Sequence, residues 1–262
     1  PRLISQNCKN NYIEIEDFGD LTVLKKFQKK SINKKIYYKK ILNLLINIKN
    51  IKTKRQKTFL KTNYKVPDYS IKKLLDESNL FLDWYLPKYI KSGKNRILKI
   101  KFKKIFKKLL NNIYYKNKVF VHRDFHISNL MITKKGLGLI DSQDAVYGNI
   151  AYDLASLIDD VRFKTNIKTK NYIFDEFIKK NKQLNLKKFK NDFEILSVLR
   201  NLKIIGIFTR LSVRDKKNKY LKLIPHAWEL IDYRTLNNPI FKDLNYLLSK
   251  NFDRKIRKSY EN

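Results

Sequence analysis

Short apolar runs separated by polar residues mark the middle of the chain. Val119–Val121 reads as a buried strand, Leu130–Thr133 as a second strand and residues 137–140 as a third. A lysine-glycine turn at residues 134–136 joins the last two strands and predicts a hairpin. The polar residues between the first two strands therefore form a loop that is held at both ends.

Apolar residues at helical spacing predict helices over most of the remaining chain. Two helices fall within residues 21–50, with a cap at Ser31. Another helix begins at Asp68 or Ser70 and ends near Pro87. After the hairpin, helices are predicted at residues 151–158, 172–180, 186–213, 219–236 and 241–248.

Three segments show other patterns. Residues 96–115 predict an amphipathic helix rich in lysine, whose apolar residues are Ile97, Ile100, Phe102, Ile105, Phe106, Leu109, Leu110 and Ile113. Such a helix can lie on a membrane, but the broad apolar face favours packing in a core. Residues 49–65 predict a surface loop, and residues 12–20 alternate like a strand that ends in a glycine turn.

Four polar residues stand on the central loop and after the third strand. His122, Asp124 and Asn129 lie in the loop, and Asp141 ends the third strand. The hairpin turn brings Asp141 back beside Asn129. Because magnesium binds few protein oxygens and completes its shell with phosphate oxygens and water, this pair predicts an Mg²⁺ site.

The spacing of these residues is typical of the catalytic loop in kinase-like phosphotransferases. In that pattern Asp124 accepts a hydroxyl proton, while Asn129 and Asp141 hold magnesium on the phosphates. Each residue alone also has a structural interpretation: Asp124 can cap a turn, His122 can pack in the core and Asn129 can satisfy backbone groups. All four at this spacing, between apolar strands, favour the catalytic interpretation.

Composition places the chain among globular proteins. Its 262 residues are 43% hydrophobic and 13% aromatic, enough for one large domain or two small ones. No run approaches the roughly 20 apolar residues of a membrane helix, and the first residues lack the pattern of a signal peptide. The single cysteine, Cys8, makes no internal disulfide, so we expect a reduced, cytoplasmic setting and no membrane partner.

The net charge of +35 would ordinarily indicate a nucleic-acid partner. Of the 59 basic residues only 11 are arginine, and the lysines are spread along the whole chain. A scattered lysine surface is more often solvated than part of a binding site. We therefore expect no specific nucleic-acid partner, but a weak attraction to anions that include nucleotides.

Further motifs are spread over nearly the whole chain. They occupy residues 16–20, 77–86, 122–131, 140–148, 151–156 and 200–210. With these segments the chain resembles the aminoglycoside phosphotransferase and choline kinase superfamily. Residues 143–148 and 201–208 narrow the resemblance to the bacterial N-acetylmuramate/N-acetylglucosamine anomeric kinases of cell-wall recycling.

The resemblance implies an α+β, protein-kinase-like fold, mostly the helical C-terminal lobe with a small β-hairpin catalytic region. Residues 1–20 would hold the end of the N-terminal lobe and the hinge, and residues 21–262 the helical catalytic lobe. The N-terminal lobe would be largely missing, since nothing before Tyr12 supplies the phosphate-covering loop or its lysine. We therefore expect an N-terminally truncated chain with little activity of its own.

The resemblance also assigns supporting residues. Glu16, Asp17 and Phe18 would form the hinge that binds the adenine of ATP. Asp153, in the first turn of a helix, would brace the catalytic loop together with His122. Asp144 either adds negative charge to the metal site or serves the turn that follows Asp141.

The implied activity is ATP-dependent, Mg²⁺-dependent transfer of the γ-phosphoryl group to the anomeric hydroxyl of an N-acetylated amino sugar. One alternative is the same chemistry on another acceptor, such as choline or an aminoglycoside. A second alternative is a non-catalytic basic binding module that reuses the fold. One departure from the family concerns residue 142, where serine replaces the usual phenylalanine after the metal-binding aspartate.

Overall fold

The computed structural model describes residues 1–29, 32–52, 56–57, 63–116, 119–236 and 238–260, with the side chains of 8, 56–57 and 92 left aside. It divides the chain into two units that alternate along the sequence. Unit 1 comprises Pro1–Asp68, Asn117–Ile158 and Ile167–Lys182. Unit 2 comprises Tyr69–Lys116, Asp159–Asn166 and Gln183–Asn262.

The strands of unit 1 form antiparallel pairs. They are β1 Leu3–Asn7 with β2 Tyr12–Ile15, β3 Gln56–Lys57 with β4 Asn63–Tyr64, β5 Val119–Val121 with β8 Val146–Gly148, and β6 Leu130–Thr133 with β7 Gly136–Leu139. The predicted β6–β7 hairpin is present, with Leu130 opposite Leu139 and the turn at Lys134 and Lys135. By contrast, β2 is exposed along its whole length, so the alternation of apolar and polar residues in this strand does not correspond to one buried face.

The helices of unit 1 are α1 Val23–Gln28, α2 Lys34–Lys49, α6 Tyr152–Ile158 and α7 Ile167–Lys179. Buried apolar residues of α2, such as Ile41, Leu42 and Leu45, lie on the side that packs against β5 and α7. The cap of α2 is Asn33, whose side chain accepts a hydrogen bond from the backbone N–H of Lys35 at 3.1 Å. The predicted cap Ser31 lies outside the described residues.

Unit 2 is built from helices. They are α3 Ile71–Leu80, α4 Leu86–Tyr89, α5 Ser92–Asn111, α8 Leu186–Asp215, α9 Ile224–Thr235, α10 Lys242–Asn251 and α11 Arg254–Arg257, with a π-helical turn at Phe81–Tyr85 between α3 and α4. Ser70 caps α3 by accepting from the N–H of Lys73. Rings of Phe81, Trp228 and Phe252 contact one another in the core, with centroids 5.3–5.9 Å apart.

The predicted apolar face of α5 is partly wrong. Ile97 and Ile100 are 58% and 63% exposed. The predicted residues Phe102 and Phe106 are buried, and with Leu98 they form a stripe of residues spaced four apart. At about 100° of rotation per residue, positions 97 and 100 point well away from that stripe. Packing within unit 2 selected one of several apolar stripes on this helix.

Helix α8 is the central helix of unit 2. Polar and apolar side chains are buried around it rather than along one stripe, which is typical of a helix enclosed by protein. Gly206 on α8 faces the backbone of Leu80 and Phe81, where α3 passes into the π-helical turn. In the described part of the chain, no helix combines the length and the apolar character needed to cross a membrane.

Candidate active site

Asp153 ties down the first residues of the central loop. The loop leaves β5 at His122, and Arg123 adopts a left-handed conformation with φ of 75°. The carboxylate of Asp153, at the start of α6, accepts the backbone N–H of His122 at 2.7 Å and of Arg123 at 2.9 Å. Asp153 is only 3% exposed, so these charge-assisted bonds are shielded from water. The carboxylate therefore holds the strained backbone from which Asp124 follows.

Replacing Asp153 with asparagine is expected to lower the free energy of unfolding by about 1–3 kcal/mol, because the amide accepts with one oxygen and leaves a buried N–H unpaired. Urea unfolding would measure the change. Asp175→Asn, at an exposed position on α7, is the matched control and should stay within about 0.5 kcal/mol of the parent. Equal stability of Asp153→Asn and the control would contradict the bracing role.

Backbone hydrogen bonds fold the loop back on itself between Asp124 and Asn129. The N–H of His126 donates to the carbonyl of Asp124 at 3.0 Å, and the N–H of Asn129 to the carbonyl of His126 at 2.9 Å. The Nδ2 of Asn129 also donates to the Asp124 carbonyl, at 3.1 Å. This bond uses the amide nitrogen and leaves the Oδ1 of Asn129 as the atom suited to a metal ion.

Asp141 follows β7 at the place where the hairpin returns to the loop. The N–H of Ile140 donates to the carbonyl of Asn129 at 3.1 Å, so Asp141 is the next residue along from that contact. Its backbone is left-handed, with φ of 65° and ψ of 41°, an uncommon conformation for a residue other than glycine. Such strain is frequent at functional sites and is consistent with a position selected for its carboxylate.

Asp144 lies in the short 3₁₀ turn Ser142–Asp144 that follows Asp141. The Nη1 of Arg123 donates to the Asp144 carbonyl at 3.1 Å and lies 3.7 Å from its carboxylate. This contact links the turn to the start of the central loop, and it supports the turn interpretation of Asp144. The sequence pattern contained no signal for the role of Arg123.

His122 is fully buried beneath the loop. Burial lowers the pKa of its ring because a charged imidazole would lose hydration, while the negative charges of Asp124 and Asp141 oppose this shift. The ring is therefore neutral near pH 7. Hydrogen bonding to the backbone of Ile140 and Asp124 also opposes the shift, and the buried ring packs beside the acids.

The segment from Glu16 to Phe18 lies against the same hairpin. The N–H of Glu16 donates to the carbonyl of Arg2 at 2.9 Å, and Asp17 accepts from the N–H of Gly19 at 2.7 Å. The ring of Phe18 covers Gly138 on β7 so closely that a Cβ there would lie 2.5 Å from the Cδ2 of Phe18. The sequence analysis did not single out this glycine, which lies where the predicted hinge closely approaches the β6–β7 hairpin.

The side chains of this loop and hairpin can be compared with the ligands that Mg²⁺ prefers. Asn129 and Asp141 supply amide and carboxylate oxygens, the donor types that Mg²⁺ prefers, and the amide of Asn129 is oriented with its oxygen available. Among the described residues, no group of three or more histidine, cysteine, aspartate or glutamate side chains is arranged to hold a metal. The residues present fit an ion that takes few protein ligands.

Comparison with known proteins shows which proteins this chain is similar to. Residues 62–175 match the model of the phosphotransferase enzyme family. The N-acetylmuramate/N-acetylglucosamine kinase of Neisseria meningitidis is 36% identical over 173 residues, which cover 61% of this chain and 50% of the relative. The kinase of the same name from Pseudomonas aeruginosa is 26% identical over 255 residues, covering 95% of this chain and 72% of the relative.

The fold has a counterpart in a solved structure. An ethanolamine kinase of Plasmodium vivax superposes with a TM-score of 0.53 at 14% identity, over 88% of this chain and 66% of the neighbour. The alignment with the Neisseria meningitidis kinase spans half the length of that relative. Residues 62–175 are therefore similar to the phosphotransferase enzyme family, and the fold is similar to that of this ethanolamine kinase, in line with the resemblance that the motifs carry.

Proposed function

We propose that this protein is an ATP-dependent phosphotransferase that phosphorylates the anomeric hydroxyl of N-acetylmuramate or N-acetylglucosamine in cell-wall recycling. The observation that carries the proposal is the arrangement of Asp124, Asn129 and Asp141 on one loop and its adjoining hairpin. The names of the relatives from Neisseria meningitidis and Pseudomonas aeruginosa support the choice of acceptor.

In this proposal Asp124 accepts or orients the proton of the acceptor hydroxyl as its oxygen attacks the γ-phosphorus. Asp153 acts indirectly, since it holds the backbone on which Asp124 is carried. Asn129 and Asp141 would hold Mg²⁺, which neutralises charge on the phosphates when bound. Most of the rate enhancement in such chemistry comes from positioning and electrostatic stabilisation, so a rigid loop is an essential part of the site.

The proposal also assigns each part of the chain to a lobe of the kinase fold. Residues 1–20 would form the end of the N-terminal lobe and the hinge, and residues 21–262 the catalytic lobe. Backbone groups at Glu16, Asp17 and Phe18 would bind adenine. The packing of Phe18 on Gly138 supports this assignment, because it places the segment beside β7, three residues before Asp141. The cytoplasm is the proposed compartment, since the reaction consumes ATP.

The first test is ATP consumption by the protein with a kinase N-terminal lobe joined ahead of residue 1, with N-acetylmuramate, N-acetylglucosamine, choline and an aminoglycoside as separate acceptors. We expect turnover with the two amino sugars and background rates with the other two. Turnover with choline or the aminoglycoside alone would reassign the acceptor within the same chemistry. No turnover with any acceptor, together with nucleic-acid binding that weakens steeply with salt, would favour the basic binding module.

A further inference from the structure

Helix α5 has one covered side and one open side. Its buried stripe lies within unit 2, where the helix packs against α3 and α10. Ile97 and Ile100 are instead 58% and 63% exposed. At about 100° of rotation per residue, these two isoleucines and Lys104 fall within about 60° of one another, opposite the buried stripe. The outermost line of the helix therefore carries two large apolar side chains in water.

Basic residues lie on both sides of this line. Lys101 and Lys108 follow one side of it, and Arg96, Lys103 and Lys107 follow the other side. All of these basic residues are exposed, as is Lys104 on the line itself. The residues of this outer face of α5 are Arg96, Ile97, Ile100, Lys101, Lys103, Lys104, Lys107 and Lys108.

The positive charge of the outer face is concentrated and largely uncompensated. Residues 84–123 contain no aspartate or glutamate. Lys108 pairs with Asp243 at 2.9 Å, but the other five basic residues of the face form no ion pair with a residue in the described part of the chain. On α8, by contrast, Lys190 has Glu194 one turn away at 3.9 Å. The outer face thus differs from a surface on which lysines and acids alternate.

The partner that fits this face has negative charge and a layer that accepts apolar groups. A bilayer with anionic lipids offers both, because lysines bind the headgroups while the isoleucines enter the boundary with the acyl chains. A nucleic acid would attract the lysines but would gain nothing from exposed isoleucines. The aromatic residues of α5, Phe102 and Phe106, are fully buried, so they cannot stack on bases. The exposed isoleucines therefore favour lipid over nucleic acid.

We propose that the outer face of α5 docks the protein on a membrane surface that contains anionic lipid. The helix lies in the plane of that surface and does not cross the bilayer. The sequence-based expectation of no membrane partner placed the apolar residues of this helix in the core, but the structure leaves Ile97 and Ile100 outside it. The proposed docking is separate from phosphoryl transfer and does not depend on it.

The test is co-sedimentation of the protein with lipid vesicles at physiological ionic strength. One set of vesicles contains phosphatidylcholine and phosphatidylglycerol in equal parts, and the other contains phosphatidylcholine alone. We expect the parent protein to sediment with the anionic vesicles and to stay in the supernatant with the neutral ones, because the lysines contribute only at a negatively charged surface.

The triple variant Lys101→Gln, Lys104→Gln and Lys107→Gln tests the charge of the outer face. It should bind the anionic vesicles about 100-fold more weakly, since each basic residue near an anionic surface contributes roughly fivefold. The control triple removes three exposed lysines of unit 2 that lie on other elements, by Lys187→Gln, Lys219→Gln and Lys242→Gln. Its net charge is the same, yet its binding should stay within about threefold of the parent because distant charges are screened.

The double variant Ile97→Gln and Ile100→Gln tests the apolar line. It should bind the anionic vesicles about tenfold or more weakly, because glutamine does not enter the acyl boundary. The control is Leu186→Gln with Leu236→Gln, two apolar residues of unit 2 that are 54% and 77% exposed, and it should bind as the parent does. All the replaced side chains are exposed, so thermal unfolding should show the same Tm for every variant.

Several results would overturn the proposal. Equal weakening by the two lysine triples would show a diffuse attraction of the net charge without a site on α5. Unchanged binding of the isoleucine variant would remove the insertion of apolar side chains, and failure of the parent to bind anionic vesicles would remove the membrane. Binding of the parent to single-stranded RNA without binding to the vesicles would assign the face to nucleic acid. None of these outcomes depends on whether phosphoryl transfer is detected.

Discussion

Replacing Asp124 with asparagine is expected to lower kcat by about 10²–10⁴-fold, the usual contribution of a positioned general base. Nucleotide affinity should change little, since Asn129 and Asp141 hold the metal in the proposed mechanism. The amide is nearly the same size as the carboxylate, so the loop should remain folded. Steady-state turnover on N-acetylglucosamine, together with nucleotide binding measured by calorimetry, would separate the two effects.

Asp83→Asn is the matched control for this experiment. Asp83 is a partly exposed acid whose carboxylate pairs with Lys99 at 2.9 Å, and it has no place in the proposed chemistry. Its replacement should leave kcat within about twofold, because exposed ion pairs contribute little. Unchanged turnover in Asp124→Asn, or equal losses in both variants, would remove Asp124 from the role of base.

Replacing Gly206 with alanine is expected to lower the free energy of unfolding by about 2–3 kcal/mol or more, as in other overpacked cores. A Cβ at this position would overlap the carbonyl of Leu80 and lie 2.5 Å from the nitrogen of Phe81. The overlapping atoms belong to the backbone of Leu80 and Phe81, so no side-chain rotation can relieve the overlap. Chemical unfolding of the variant would measure the loss.

Gly93→Ala provides the control. Gly93 lies near the start of α5, and a Cβ there would meet nothing within 4 Å. Alanine is the better helix former by about 1 kcal/mol in a helix interior, so this variant should be as stable as the parent or slightly more stable. A Gly206→Ala variant as stable as Gly93→Ala would show that α8 can move away from α3.

The part of the site contained in one short segment could be predicted from the sequence. Asp124 and Asn129 lie five residues apart between two strands, and their relation follows from the loop and the hairpin alone. The neighbouring contacts could not be predicted in this way. Asp153 reaches the loop from 31 residues away, and Phe18 covers Gly138 from a distant part of the chain. Periodicity reports which side of an element avoids water, but not which element covers that side.

The sequence by itself determined most helices, the β6–β7 hairpin and the resemblance to phosphotransferases, because capping, alternation and motif spacing are local properties. Only the tertiary structure decided which stripe of α5 is buried, why Gly206 must lack a side chain and that the carboxylate of Asp153 reaches the central loop. These facts depend on how closely segments distant in sequence approach one another. Such quantities are set by packing, so they become visible only once the chain is folded.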